Sequence, residues 1–298
     1  MIAEHGVRIW AALARRRRGL AKGWYKYSRN SLSVLGLVVL VLIGLTAGLA
    51  PYIAPYPEHA AAYTNFREAG LPPSKDHLFG TDRVGRDVLS RVIFGYRFSL
   101  LLGIVVLSLA VPSGVVLGLL GGYYNGTWIE VLIMRITDVF LAVPPLVLAM
   151  SIAAMLTPNL FNAMIAISLS WWPWYCRLVY SVTASLRNQF FVREAELTGA
   201  SRMHILFKEI LPNCFGPIMT KVTLDMGIAI LMGASLSFIG LGAQPPTPDL
   251  GTMLADGAKR LPSEWWSTIF PALAIVMVIL AFNLVGDGLR DVFAVEEV

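Results

Sequence analysis

The sequence predicts an all-α, polytopic membrane protein with six transmembrane helices, on three observations. The first is composition: of 298 residues, 56% are hydrophobic and only 14% charged, where soluble chains run about 45–50% apolar and about 25% charged. The second is that the charges are bunched, leaving gaps wide enough for helices of about 20 apolar residues. The third is that caps and helix breakers divide those gaps at usable points. The same composition excludes a disordered chain. A disulfide scaffold is excluded as well, since only Cys176 and Cys214 are present and neither has zinc-ligand spacing around it.

The first span is expected over 32–50, capped by Asn30 or Ser31 and ended by Pro51 and Pro55. The second has its apolar body at 100–123, inside the charge-free gap between Arg97 and Glu130. The next gap, from Val139 to Cys176, is too long for one helix. Its Thr157-Pro158-Asn159 cluster divides it into spans near 140–156 and 160–180. Lys221 and Asp225 open a fifth span that ends near Leu241, and they read as a local i, i+4 ion pair rather than a proton relay. The sixth covers roughly 266–285.

Six spans put both termini on one side. With that side cytoplasmic, the inner segments carry fifteen Lys and Arg against eight in the outer ones, so the positive-inside rule predicts cytoplasmic termini. The net charge of +5 is then mainly a topological signal, and no nucleic-acid partner is expected. Residues 1–31 form a basic cytoplasmic segment. Arg15 to Arg18 read as topology determinants, and Ile9, Trp10, Leu13, Leu20 and Trp24 suit a helix lying on the inner leaflet or a solvated basic tail. The first span is too long, and its charged lead too long, for a cleaved signal peptide.

Catalytic chemistry is missing. All four histidines fall outside the expected spans, and neither a His-Glu-x-x-His nor a Gly-x-Ser-x-Gly pattern occurs. No phosphate-cradling Gly-x-x-x-x-Gly-Lys-Ser/Thr loop is present, so ATP hydrolysis by this chain is not expected.

Three polar segments stand out. The inner one, 177–217, is far longer than an ordinary connection. Within 192–213 it places Val192, Ala195, Gly199, Met203, Leu206 and Ile210 at helical spacing, and Pro212 is expected to end that helix. Such an amphipathic helix lies on the bilayer or in a partner's groove. The outer segment, 55–97, contains His-Leu-Phe-Gly-Thr-Asp-Arg-Val-Gly-Arg-Asp from His77 to Asp87. There Asp82–Arg86, Arg83–Asp87 and Asp87–Arg91 are i, i+4 pairs that predict a charge-laced surface helix, with Val84, Val88 and Val92 as its apolar side. The third segment runs Leu-Ser-Phe-Ile-Gly-Leu-Gly-Ala-Gln-Pro-Pro-Thr-Pro-Asp-Leu-Gly over 236–251, and Phe-Asn-Leu-Val-Gly-Asp-Gly-Leu-Arg-Asp closes the last span at 282–291.

Gly199, followed by Leu211-Pro212, resembles the EAA loop of ABC-importer permeases: Glu-Ala-Ala, three residues, Gly, nine residues, Ile, one residue, Leu-Pro. This chain departs from it with Arg193-Glu194-Ala195 as the opening triplet and Glu209 at the Ile position. The segment from His77, with Gly80, Thr81, Asp82, Gly85, Arg86, Asp87 and Arg91, resembles the signature of the second (C-type) permease subunit of dipeptide, oligopeptide and nickel importers. The resemblance runs from about Leu32 to Asp291. It implies a type I ABC-importer permease fold over 32–298 in a bacterial cytoplasmic (inner) membrane, acting in peptide uptake by alternating access. It further implies a homologous permease partner, two ATPase subunits that bind ATP and Mg, and a soluble binding protein outside, with no cofactor in this chain. Glu194, Ala195, Gly199, Ala200, Leu206, Leu211 and Pro212 are the implied coupling contacts.

For the translocation path the sequence offers Trp171, Trp172 and Trp174 around Pro173, which also suit interfacial or packing roles, and Asn283, which should seek an interhelical hydrogen bond. Small residues at Gly227, Ala229, Gly233 and Gly240 suggest close helix approach in the fifth span. Asn125-Gly126-Thr127 reads as a turn rather than a glycosylation site. Nickel-chelate or glutathione uptake is the alternative within the family, and a membrane-embedded enzyme or scaffold is the alternative outside it.

Overall fold

The computed structural model describes residues 23–293, so Ile9, Trp10, Leu13, Leu20 and Arg15 to Arg18 lie outside the described residues. Helix α1, Ser31–Gly48, starts where expected: the Asn30 carboxamide oxygen accepts from the Leu32 and Ser33 amides. Pro51 does not stop the chain abruptly, because it sits in the first turn of a short helix, Ala50–Ile53.

Helix α2, Val88–Tyr123, has 36 residues and begins twelve positions before its apolar body. The expected charge-laced helix before it is not formed: among residues 77–87 the chain makes turns, and Asp87 is the N-cap of α2. The expected straight span over 140–156 is also corrected. Helices α3, Trp128–Leu141, and α4, Pro145–Ala154, meet at an angle of 86°. Pro144-Pro145 is the cause, since a proline removes an amide donor and forces its predecessor out of the helical region; Pro144 has ψ 131°.

Helix α5, Leu160–Leu186, is capped by Asn159, which accepts from the Asn162 amide at 2.8 Å. A short α6, Phe190–Leu197, follows. Residues Arg202–Phe238 then form one 37-residue rod, of which Ile205–Ile210 is π-helical and Leu211–Phe238 is α7. Pro212 therefore does not end a helix. It occupies the first turn of α7, directly after the π-helical turn, and the rod runs on through it. Helices α8, Leu250–Ala258, and α9, Trp266–Phe293, complete the described residues, which contain no β-strand.

By length and composition α1, α2, the 202–238 rod and α9 can each cross a membrane, and the bent α3–α4 pair passes the same test only when its two halves are taken together, as a broken span or a re-entrant loop. Helix α5 is long enough, roughly 40 Å at 1.5 Å per residue, but three tryptophans, Tyr175 and Arg177 dilute its apolar character.

Of three buried apolar clusters among the described residues, the two larger hold the bundle. The larger joins Val106, Ile167, Tyr175, Ile230 and Val278 from α2, α5, α7 and α9. The smaller joins Leu119, Val179, Val192, Ile205, Ile210 and Cys214, beneath α6 and the π-helical turn. Of the small residues in α7, Gly227 packs on Ile279 and Gly233 on Leu102 of α2, and Ala229 is fully buried. Gly240 faces open space and closes the helix instead, with φ +87°.

Candidate functional site

The segment 177–217, expected on the inner side, is a helix–turn–rod, not the single stripe that the spacing predicted. Helix α6 stops in a Schellman arrangement: the Gly199 amide bonds to the Glu196 carbonyl, and the Ala200 amide to the Ala195 carbonyl at 3.0 Å. Gly199 takes φ +81°, a conformation that disfavours any residue with a Cβ. Ser201 then caps the next turn by accepting from the His204 amide. The break splits the predicted stripe. Val192, Leu206 and Ile210 are buried in the cluster below, whereas Met203 is 63% exposed. Ala195, Ala200 and Leu211 are half-buried, while Glu194 and Pro212 are exposed. Leu197, at 88%, and Phe190 also stand in the open.

The C-terminal end of α2 is tied to this segment by contacts that local sequence patterns do not reveal. The Tyr123 hydroxyl donates to Glu196 at 3.2 Å, and an Arg187 Nη donates to the Asn125 carbonyl at 3.0 Å. The Arg187 and Arg202 guanidinium groups lie 5.6 and 5.7 Å over the Tyr123 and Tyr124 rings, within range of a cation–π attraction. The predicted turn at Asn125 is present, with Gly126 at φ +81° and its amide donating to Glu130.

On the other side of the bundle, the signature residues converge in a folded loop. Asp82 accepts from the Val84 and Arg86 amides and pairs with Arg86 Nε at 2.7 Å. Gly85, at φ +83°, presses on the Asn65 backbone where a side chain would collide. Arg83 pairs with Asp256 at 3.5 Å, and Arg91 approaches Asp82 at 3.7 Å, so the expected Arg83–Asp87 and Asp87–Arg91 pairs are replaced by contacts across the loop. The Thr81 hydroxyl donates to the Glu68 carbonyl, and its own carbonyl accepts from Trp266 Nε1 at 3.1 Å. That leaves Gly80 at the bend, between Leu71 and Trp266. Buried Arg91 donates to the His59 and Pro246 carbonyls.

His59 sits beneath this loop with Nδ1 accepting the Asp87 amide at 2.8 Å. Burial lowers its pKa from the ordinary 6.5, and neighbouring His77 adds to the lowering, against the opposing pull of Glu58, Asp87 and Glu68. Protonation would remove the acceptor. A lowered histidine pKa means that the unfolded loop binds more protons, so the stabilisation is complete above pH 6.5 and declines as pH falls below it. Amide protection factors across 54–87 should therefore be smaller at pH 5.5 than at pH 7.5. Equal rates, after correction for intrinsic exchange, would contradict this arrangement.

The aromatic residues of α5 divide. Trp171 is buried and donates its indole N–H to Asp225 at 2.8 Å, while Asp225 also pairs with Lys221 at 3.1 Å. The expected i, i+4 pair thus exists, but with a third partner 54 residues away. Trp172 packs edge-on against Phe140, and Trp174 is exposed on the bundle surface. Asn283 is half-buried and makes no side-chain hydrogen bond among the described residues, so the expected interhelical bond is absent.

Residues 114–295 match the family described as "Binding-protein-dependent transport system inner membrane component", and residues 20–73 match "N-terminal TM domain of oligopeptide transport permease C". The dipeptide transport system permease protein DppC of Alkalihalophilus pseudofirmus is 43% identical over 263 residues, 88% of this chain and 85% of that protein. The protein of the same name from Haemophilus influenzae is 38% identical over 91% of this chain and 93% of its own length. A glutathione transport system permease protein, GsiD, of Escherichia coli is 41% identical over 90% of this chain and 88% of that protein. Among solved structures, an inward-facing form of the MetNI methionine ABC transporter superposes with TM-score 0.50 at 18% identity, covering 69% of this chain and 94% of that one. The chain belongs to the binding-protein-dependent transport system inner membrane components, as a C-type permease subunit of an ABC importer and not as an enzyme.

Proposed function

We propose that this chain is one of two paired permeases of a dipeptide importer in a bacterial inner membrane, with both termini cytoplasmic. Two ATPase subunits, which bind ATP and Mg, lie on the cytoplasmic side, one of them docked on 190–212 of this chain, and a soluble binding protein delivers cargo to the outer loop. The observation that carries the coupling assignment is the two-sided character of the inner segment. Val192, Ile205, Leu206 and Ile210 fix it rigidly to the bundle, while Phe190, Leu197 and Met203 are large apolar groups left in the open. Such a surface calls for a partner. The glutathione permease among the relatives favours a second reading, uptake of that tripeptide, because its identity and coverage are close to those of the dipeptide proteins.

The test uses Gly199, where an added Cβ meets nothing within 4 Å. Gly199→Ala and Gly199→Trp therefore carry the same backbone strain, about 1–2 kcal/mol, and differ only in bulk offered to an outside partner. In the reconstituted complex, Gly199→Ala should keep most of the ATPase stimulation by loaded binding protein, and Gly199→Trp should lose at least tenfold. Equal stimulation in both variants would remove the coupling assignment.

A further inference from the structure

The middle of the bundle holds charge that neither the inner segment nor the outer loop uses. Asp225 lies fourteen residues past Leu211 and thirteen before Phe238, at the midpoint of α7 and roughly 20 Å from either end. It is buried, and held by both Trp171 and Lys221. Lys221 is different: its side chain is 25% exposed, and its ammonium lies 5.7 Å over the Trp174 ring, itself 41% exposed, and 5.5 Å over that of Tyr175.

The exposed surface continues from there along one face of α5. Trp174, Arg177, Ser181 and Ser185 are all exposed at steps of three or four residues, which places them on a single helical stripe. Arg177 pairs with Asp138 of α3, and both side chains are nearly half exposed. Elsewhere the open surface midway along the long helices is mostly apolar, as at Leu101, Ile104, Leu109, Leu273 and Met277, interrupted on α2 by Ser108 and Ser113. Ionised side chains within spanning helices face water or protein rather than lipid, so this stripe and Lys221 face a water-filled path or the partner permease, whereas the apolar faces suit lipid.

We infer that Lys221 and the α5 stripe line the water-filled inner half of the translocation path, and that the Lys221 ammonium contacts the carboxylate of the passing cargo. Asp225, fixed by the Trp171 indole, is a positioning residue that aims the ammonium. A lysine has three N–H donors. With Asp225 bound, donors remain for a carboxylate, and the half-neutralised charge holds the cargo weakly enough to let it leave, as conduction requires. The carboxylate contact rests on the dipeptide reading; the lining does not.

The test is Lys221→Cys in the full reconstituted complex, with the buried Cys176 and Cys214 replaced by alanine. Aqueous aminoethyl thiosulfonate, which rebuilds a lysine-like ammonium, should modify the new cysteine. Dipeptide uptake should fall at least tenfold in the unmodified variant and return to within threefold of the parent after aminoethylation. An anionic sulfonatoethyl reagent should leave uptake low. ATP hydrolysis stimulated by loaded binding protein should stay within twofold throughout, showing that the variant folds and couples. A cysteine unreactive in both the resting and vanadate-trapped complex would overturn the lining. Equal recovery with both reagents, or uptake unchanged by the substitution, would overturn the carboxylate contact. If the parent complex moved no dipeptide while the cysteine still reacted, the dipeptide reading and the carboxylate contact would both fall, and the lining would stand.

Discussion

Replacing Gly118 with valine is expected to separate α2 from α5 and to destabilise the whole bundle. Gly114, Gly118 and Gly122 lie at i, i+4 and i+8 on α2, all three facing α5. A Cβ at Gly118 would sit 2.6 Å from the Cys176 carbonyl oxygen and 2.8 Å from Val179 Cβ; one at Gly114 would sit 2.5 Å from the Trp172 carbonyl oxygen. The obstacles are backbone atoms and Cβ atoms, which no rotamer change can move aside. The helices must part, and the contacts lining the whole crossing loosen with them. Overpacking of this kind typically costs about 1–3 kcal/mol and on occasion more, and three branched heavy atoms against backbone belong at the upper end. Small residues are the usual means by which membrane helices approach this closely. Thermal unfolding of the detergent-solubilised complex should show a markedly lower transition for Gly118→Val and a smaller shift for Gly118→Ala. An unchanged transition for valine would mean that α2 and α5 do not cross here. Coupling should suffer too, since Leu119 and Val179 belong to the cluster on which the inner segment rests.

The second large effect is expected at Asp87, which is 1% exposed and serves three neighbours. One carboxylate oxygen caps α2 by accepting from the Ser90 amide at 2.7 Å, and the other meets His77 Nδ1 at 3.0 Å. Its amide donates to His59. Asp87→Ala removes the cap, typically worth about 1 kcal/mol. It also leaves a buried imidazole nitrogen unpartnered, for about 1–3 kcal/mol more. The combined loss of roughly 3 kcal/mol should fall on the outer loop rather than on the spans, because α2 is held along its length by other helices. Limited proteolysis should then cut within 54–87 in Asp87→Ala while the bundle stays intact. Asp87→Asn, which keeps an oxygen for the cap, should be intermediate. A variant as resistant as the parent would show that the loop is held by its other contacts alone, chiefly the Arg91 and Trp266 hydrogen bonds.

Much of this architecture is legible in the sequence, for identifiable reasons. Span positions follow from where charge is absent, and the Asn30 and Asn159 caps sit where a polar residue precedes an apolar run. Pairs three or four residues apart, such as Lys221–Asp225 and Asp82–Arg86, are local enough to read directly. Reading failed where a local pattern admits two geometries. Spacing of i, i+4 in 82–91 suits a helix, yet the same residues close a loop once Gly80 and Gly85 supply left-handed turns. Pro212 reads as a stop and acts as a first-turn proline. Pro144-Pro145 breaks its helix through chemistry that is visible in the sequence, and the glycine triplet of α2 is equally open to view.

The sequence by itself determined that the chain is a helical membrane protein, roughly where it crosses, and which family it resembles, because these depend on composition and short-range order. The tertiary structure alone decided which distant groups share a site: Trp171 on Asp225, Tyr123 on Glu196, Arg83 on Asp256, and His59 under Asp87. It also decided that the 177–217 segment is a broken helix with an exposed apolar edge, and that Asp225 lies halfway along α7. The physical reason is that burial and hydrogen-bond partnership at these positions come from packing between helices. That packing joins residues dozens of positions apart, and no periodicity within one helix encodes it.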